Sequence, residues 1–481
     1  MSSIVNNAAV FPGSKPLVST SVLAALVVAC GLIVGAVAWQ TTCLVLMVVV
    51  SIWLGMNHQD WGLGLLALTL PVQTFFQVGV QGGSVTLTKV AIWSLLGGWT
   101  IALLRSRQRV LVDFVTVSLF VVVAALVLSV WNARDGGIWI GETYRWLATG
   151  IISCFAFNAF RRGGSPLPFL LCSLVGVFSS VALSLWQVIF AVGPESYQVR
   201  GFLRAYGPFT HPNQLAIYLE LTTPLFLALL IGPTGKYAMD GRWFVSRRLR
   251  PLWALGVLSG LIGLALSQSR GGMVGMAAGF AIVLALIVPR MRLSLVRLAP
   301  VGLIGALALL TISIGIVAAG VRTLSNEETL VTSSNFAVQE RLSHWTAAVE
   351  MAKEHPFVGV GAGNYDLNYR DFTQEWRFRI GRGHAHDTYL HFLAQSGVVG
   401  LTAYIALLLG VSLIIVRTIR ILPGGSRLAL LIGTAGITAA TGAHAVFEYV
   451  HVLSLNLQLV VVWAMAIAIG TEAWNVREQR V

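Results

Sequence analysis

The chain has 481 residues, of which 56% are hydrophobic and only 11% charged, whereas a soluble protein carries about a quarter charged residues. That composition excludes a soluble globular enzyme and predicts an all-α polytopic membrane protein. The net charge of +13 calls for no nucleic acid, because the cytoplasmic loops of membrane proteins are enriched in Lys and Arg. Cys30, Cys43, Cys154 and Cys172 all fall inside apolar runs, so neither a disulfide framework nor a thiolate metal site is indicated.

Taking about 20 apolar residues per crossing, the sequence predicts spans near 19–38 (an uncleaved first helix), 41–56, 61–79, 86–105, 112–131, 141–161 and 167–193. Further spans follow near 208–232, 251–267, 271–289 and 295–320, then 387–416, 427–447 and 451–472. The second and third are short, which leaves the count at 12 to 14. With the N-terminus inside, the inner segments hold 19 of the 32 Lys and Arg residues. The positive-inside rule then makes both ends cytoplasmic and the 321–385 loop external. The expected organisation is an N-terminal transmembrane bundle (1–320), an external loop containing amphipathic helices (321–385) and C-terminal transmembrane helices (386–481).

Within that loop, Asn335 is placed to cap a helix along which Val338, Leu342, Trp345, Val349 and Ala352 recur at helical spacing, ended by Pro356. Gly359-Val-Gly-Ala-Gly363 follows as a flexible turn; with no GK[ST] after it, it is not a phosphate loop. Trp376 to Arg382 carries three arginines, two aromatics and no acid. It is either a snorkelling interface strip or a strip for an anionic ligand.

Arginines on the external side are not explained by topology, and three segments hold them or titratable groups at helix boundaries. The first runs from Arg200 through Arg204 to Thr210-His-Pro-Asn213 and Gln214. Thr210 or His211 is the expected N-cap and Pro212 the first helical residue, so backbone N–H groups point outward beside two arginines, an anion site. The second is the tight turn Ser267-Gln-Ser-Arg-Gly-Gly272, in which Arg270 has little freedom. The third is Arg382-Gly-His-Ala-His-Asp-Thr-Tyr389, where a polar segment meets an apolar helix, with Asp387 as a first-turn acid.

Guanidinium groups match phosphate oxygens, and histidine is the usual proton acceptor near neutral pH. Arginines plus one histidine on one face therefore suit an acceptor hydroxyl attacking a phosphate-activated carbon. Arg200, Asn213, Arg382, His384 and Asp387 complete the expected substrate-binding set. Glu220 belongs to it as well, about two turns below the His-Pro-Asn start, either holding Arg204 or Arg270 or lying with Glu448 on a transporter's ion path. His384 and His386 would be metal ligands only if carboxylates or further imidazoles converged on them, Asp387 or His444 and His451 for example.

Arg204-Ala-Tyr-Gly-Pro-Phe-Thr-His-Pro-Asn-Gln-Leu-Ala216, Ser267-Gln-Ser-Arg-Gly-Gly272, Arg341-Leu-Ser-His-Trp345, His355-Pro-Phe-Val-Gly-Val-Gly-Ala-Gly-Asn-Tyr365 and His386-Asp-Thr-Tyr-Leu390 with Gly397-Val-Val-Gly400 come in that order. As a set they resemble the O-antigen ligase and polymerase superfamily of bacterial polysaccharide assembly. The resemblance implies a metal-independent, inverting membrane glycosyltransferase of the cell envelope, without cofactor. It also implies a bacterial inner-membrane location with the site facing the periplasm or outside. The donor would be a glycan on undecaprenyl pyrophosphate, and the acceptor a saccharide, lipid A-core or protein hydroxyl. His386 would be the base or orienter of that hydroxyl, and Arg270 and Arg204 would hold pyrophosphate, with Arg200 competing for that role. Asp387 stands where the family often has Asn, and would raise the basicity of His386 if the two touch. Some relatives are protein O-oligosaccharyltransferases and others have been labelled inorganic-carbon transporters, so a solute transporter is the alternative.

Overall fold

The computed structural model describes residues 39–80, 83–199, 201–233, 241–290, 336–373, 378, 381 and 383–478. The expected spans at 19–38 and 295–320, the Asn335 cap, Arg200, Arg382 and most of the strip from Trp376 lie outside the described residues.

The chain is an all-α polytopic membrane protein. Its helices are α1 (Trp39–Asn57), α2 (Gln59–Thr69), α3 (Leu87–Ser106), α4 (Phe114–Leu128), α5 (Gly136–Arg161) and α6 (Leu167–Ile189). They continue as α7 (Pro212–Glu220), α8 (Thr223–Ile231), α9 (Arg250–Ser267) and α10 (Arg270–Ile287). After these come α11 (Phe336–Glu354), α12 (Tyr365–Phe372), α13 (Thr388–Ile421), α14 (Gly425–His444) and α15 (Asn456–Glu478). Among the described residues, eight helical stretches are long and apolar enough to cross a membrane. The strands among the described residues form two short antiparallel hairpins, Gln77–Val80 with Gly83–Thr86 and Gln198–Val199 with Phe202–Leu203.

Most helices lie close to their expected spans, and the departures have backbone causes. The expected span at 61–79 is only the 11-residue α2 followed by the first hairpin. At 1.5 Å per residue such a helix covers about half of a bilayer. The expected span at 208–232 is broken between α7 and α8, because Pro224 has no N–H to give to the Glu220 carbonyl one turn earlier.

α13 bends at Gly397, whose φ of 62° and ψ of −165° leave the helical region. The break frees backbone groups that a bilayer-embedded chain must satisfy, and the segment after α11 supplies the partners. Val360 N donates to Ala394 O (2.9 Å) and Gly361 N to Gln395 O (3.2 Å), while Val398 N donates to Pro356 O (2.8 Å). The stretch expected to be a flexible turn, Gly359 to Gly363, is therefore docked. A Cβ on Gly359 would come within 2.4 Å of the Gln395 backbone.

α11 forms where expected and stops ahead of Pro356. Its buried face is carried by His344, Ala347, Ala348 and Met351, while Val349 is exposed. The apolar periodicity read from the sequence thus points to a rotated face, because a histidine and small alanines form the seam.

α10 crosses α14 on small residues. A Cβ on Gly275 would lie 2.8 Å from Ala440 O, and one on Gly279 would lie 2.8 Å from Gly436 O. Such close backbone approach is how membrane helices pack when the lipid itself supplies no hydrophobic drive. It fixes Arg270, at the start of α10, against the end of α14. At the opposite end of the bundle, Glu472 near the end of α15 pairs with Arg161 (3.5 Å), Arg242 and Arg427 (3.2 Å) and accepts from Trp243 Nε1 (2.9 Å).

Replacing Gly397 by alanine should therefore destabilise the protein strongly. The added Cβ would lie 2.2 Å from the Phe357 carbonyl carbon, at a positive φ, where strain alone costs about 1–3 kcal/mol. The yield of monodisperse protein and its thermal midpoint should both fall, whereas Gly97→Ala, in open space, should leave them unchanged.

Candidate active site at the helix starts

Three helices begin at the same end of the bundle, each with a side-chain cap. His211 Nδ1 accepts from Asn213 N (3.2 Å) at the start of α7. Ser269 Oγ accepts from Gly272 N (3.3 Å) at the start of α10. Asp387 Oδ1 accepts from Leu390 N (2.7 Å) at the start of α13. A Cβ on Gly272 would lie 2.6 Å from that of Ala216, so α7 and α10 start side by side. Positive dipole ends gathered in this way favour an anion.

The residue that joins them is Glu448, in the segment connecting α14 to α15. One carboxylate oxygen, Oε1, faces His386 Nδ1 at 3.1 Å and accepts from Tyr449 N at 3.1 Å. The other, Oε2, accepts from Asn213 Nδ2. Asn213 Oδ1 in turn accepts from Arg204 Nη2 (3.3 Å), and Arg204 Nε donates to Ser267 O (3.1 Å), just ahead of Arg270. Arg204, Asn213, Glu448 and His386 are thus one hydrogen-bonded chain. Burial opposes the charge on Glu448, but His386, His384 and Arg341 around it hold the carboxyl well below its usual range. A carboxylate at Oε1 favours a proton on His386 Nδ1, and in the neutral ring that tautomer leaves Nε2 as the acceptor. That Nε2 is buried without a hydrogen-bond partner.

His386 has a φ of 52°, a left-handed conformation that a non-glycine residue holds only where its surroundings impose it. Its N–H donates to His384 Nδ1 (3.2 Å), and its carbonyl accepts from Trp345 Nε1 of α11 (3.5 Å). Burial keeps the His384 and His211 rings neutral, each with a pKa lowered to about 4.

Arg204 is half-buried, and its pKa is lowered by that burial and by the like charges of Arg341 and Arg270. The charges of Arg341 and Arg270 thus both reach Arg204, with Glu448 the acid whose pull Arg204 feels. Arg270 itself is exposed.

Several expected contacts differ. Asp387 caps α13 and does not raise the basicity of His386 by contact; Glu448 is the acid that touches His386. Burial pushes the Asp387 pKa up to about 6, against the N–H groups of Leu390 and Tyr389. Glu220 touches neither Arg204 nor Arg270. It pairs with His444 (2.9 Å) beneath the first turns of α10, both side chains being 1% exposed. His451 is separate again, with Nε2 2.8 Å from the Tyr404 hydroxyl. Glu448 lies in the segment between α14 and α15, and each of the two acids is engaged by its own histidine.

His384, His386 and Glu448 bring their ligand atoms within 4.8 Å of one another, a set with the donors for a metal ion. The carboxylate oxygens are already engaged by Asn213, Tyr449 N and His386, and the surrounding arginines oppose a second cation.

Fold and site define a multi-pass helical membrane protein with cationic and titratable groups gathered where helices start. Residues 255–405 match the family model described as O-antigen ligase. That match agrees with the superfamily that the ordered motifs resemble. Comparison with curated proteins finds no match. The matched segment includes Arg270, Arg341, His384 and His386, whereas Arg204, Asn213 and Glu448 lie outside it. Glu448 is the residue that sequence reasoning missed as a partner of His386. Its one signal is an acid in an otherwise uncharged turn between two apolar helices.

If Asp387 serves as a cap, Asp387→Asn should leave the thermal midpoint nearly unchanged, and Asp387→Ala should cost about 1 kcal/mol. Thermal unfolding of the two variants, purified in parallel, checks this. Equal losses in both would mean that the carboxylate charge matters and the cap does not.

Proposed function

We propose that this protein transfers a glycan from an undecaprenyl-pyrophosphate carrier to an acceptor hydroxyl at the outer face of the bacterial cytoplasmic membrane, as an O-antigen ligase or a polysaccharide polymerase does. The observation that carries this reading is the pairing of arginines that form no ion pair among the described residues with a carboxylate-bound histidine whose second nitrogen has no hydrogen-bond partner. The first suits the pyrophosphate of a lipid-linked donor. The second suits the proton of an attacking hydroxyl. The acceptor is a saccharide, lipid A-core or protein hydroxyl. The outer-face assignment rests on the distribution of Lys and Arg, which favours the opposite end of the bundle as cytoplasmic.

In this mechanism the acceptor oxygen attacks the anomeric carbon from the face opposite the pyrophosphate, and the configuration inverts. The hydroxyl proton passes to His386 Nε2. Glu448 holds the ring by its Nδ1–H and stabilises the imidazolium that forms. The anomeric C–O bond breaks, and the electron pair leaves on undecaprenyl pyrophosphate. Arg204 and Arg270 meet the negative charge that grows on its phosphate oxygens. No divalent ion is required, because the guanidinium groups supply that positive charge. His384 serves by accepting the His386 N–H.

Purified protein in nanodiscs with a lipid-linked glycan donor tests the reading. His386→Ala should lower transfer about 10²–10⁴-fold while the donor still binds. Arg270→Lys should recover little of what Arg270→Ala loses, because a point charge does not replace a planar fork. A chelator should leave the wild-type rate unchanged. Loss of activity with chelator, together with equal losses in His384→Ala and His386→Ala, would indicate a metal site and overturn the mechanism.

A further inference from the structure

α11 covers the site, and its residues 341, 344 and 345 share one face, three and four positions apart. Two of these touch His386. The His344 and His386 rings lie 5.3 Å apart at 75°, and Trp345 Nε1 reaches the His386 carbonyl. Arg341 stands one turn earlier on that face. Its Nε is buried with no hydrogen-bond partner, and among the described residues Arg341 forms no ion pair. A buried N–H donor without an acceptor costs free energy. The charge of Arg341 also acts on Glu448, Arg204, His211 and His384 alike, and the helix that carries it meets His386 through His344 and Trp345. Arg204 and Arg270 approach from the helix starts below, whereas Arg341 approaches from the covering helix. A pyrophosphate carries two phosphoryl groups, whose oxygens accept from several donors at once.

We infer that Arg341 is a third pyrophosphate-binding residue, so that α11 forms the upper wall of the donor subsite as well as its cover. This rests on the transferase reading and extends it, since the anion is held between the bundle and the covering helix. The Arg341 fork spans the two phosphoryl groups, so its contribution should be larger for a pyrophosphate than for a monophosphate.

The test uses the full chain in nanodiscs and measures binding of undecaprenyl pyrophosphate, undecaprenyl monophosphate and inorganic pyrophosphate. Arg341→Ala should weaken undecaprenyl pyrophosphate by about tenfold or more, the scale of lost hydrogen bonds to a charged group. It should weaken the monophosphate distinctly less, at an unchanged thermal midpoint. Arg341→Lys should stay weakened, and it serves alone if the alanine variant fails to fold. Competition by inorganic pyrophosphate should fall in the same variants, which assigns the effect to the headgroup and not to the lipid tail. If the Arg341 variants bind like the wild type while Arg270→Ala loses affinity, the inference fails and the transferase reading stands. Equal loss for both lipids, or loss together with a lowered midpoint, would make Arg341 structural and also overturn the inference. If the wild type shows no preference for the pyrophosphate lipid, the transferase reading fails as well.

Discussion

The site depends on a single carboxylate. Glu448 accepts hydrogen bonds from Asn213 at the start of α7, from His386 at the start of α13 and from the backbone of its own connecting segment. An isolated carboxylate so deeply buried would be too costly to keep ionised. The histidines and Arg341 make it affordable, and the carboxylate in return fixes the tautomer and direction of His386. Without that ion the only acid at the three helix starts would be Asp387, which is turned onto its own helix. The arrangement is therefore poised. One acid satisfies the histidine and part of the arginine charge, and the remaining positive charge faces the region where an anion would enter.

Two features of the bilayer solvent place these groups. Backbone polar groups in a membrane must find partners within the protein, so the break at Gly397 is tolerated because Pro356 to Gly361 pairs with both sides of it. That pairing fastens the segment after α11 to α13, and with it the helix that carries Arg341 and Trp345 over His386. Helices without a hydrophobic drive toward each other pack through small residues, and the glycines of α10 set Arg270 beside the end of α14. The buried Glu220–His444 pair sits under the same turns. A Cβ on Gly271 would lie 2.7 Å from the His444 ring, and one on Gly275 would lie 2.6 Å from Glu220 Oε1.

Hydropathy makes the described spans legible in the sequence because crossing length and apolarity are local properties. The caps of α7 and α13 and the end of α11 before Pro356 are legible for the same reason. Contacts between distant segments are not. Asp387 is the nearest acid to His386 in sequence, yet the backbone turns it onto its own helix, and an acid 62 residues away makes the contact. Glu220 lies below the arginines as its spacing suggests, but its neighbour is a histidine from α14. The 61–79 stretch is apolar enough for a span, and only the proline at Pro71 and the hairpin after it show otherwise. On α11 Val349 is exposed although its apolar spacing pointed inward, and His344 is buried, because burial there follows the fit of small and aromatic groups more closely than hydropathy.

The claim that Glu448 orients His386 for chemistry is tested most directly by the maximal transfer rate of Glu448→Gln in a reconstituted assay with saturating lipid-linked donor. Glutamine keeps the shape of the side chain and can still accept from Asn213, but it lacks the charge that holds the Nδ1–H and supports an imidazolium. The account predicts a rate at least about a hundredfold below the wild type, with a far smaller change in the donor concentration needed for half-saturation. A Glu448→Gln protein that turns over at the wild-type rate would contradict it.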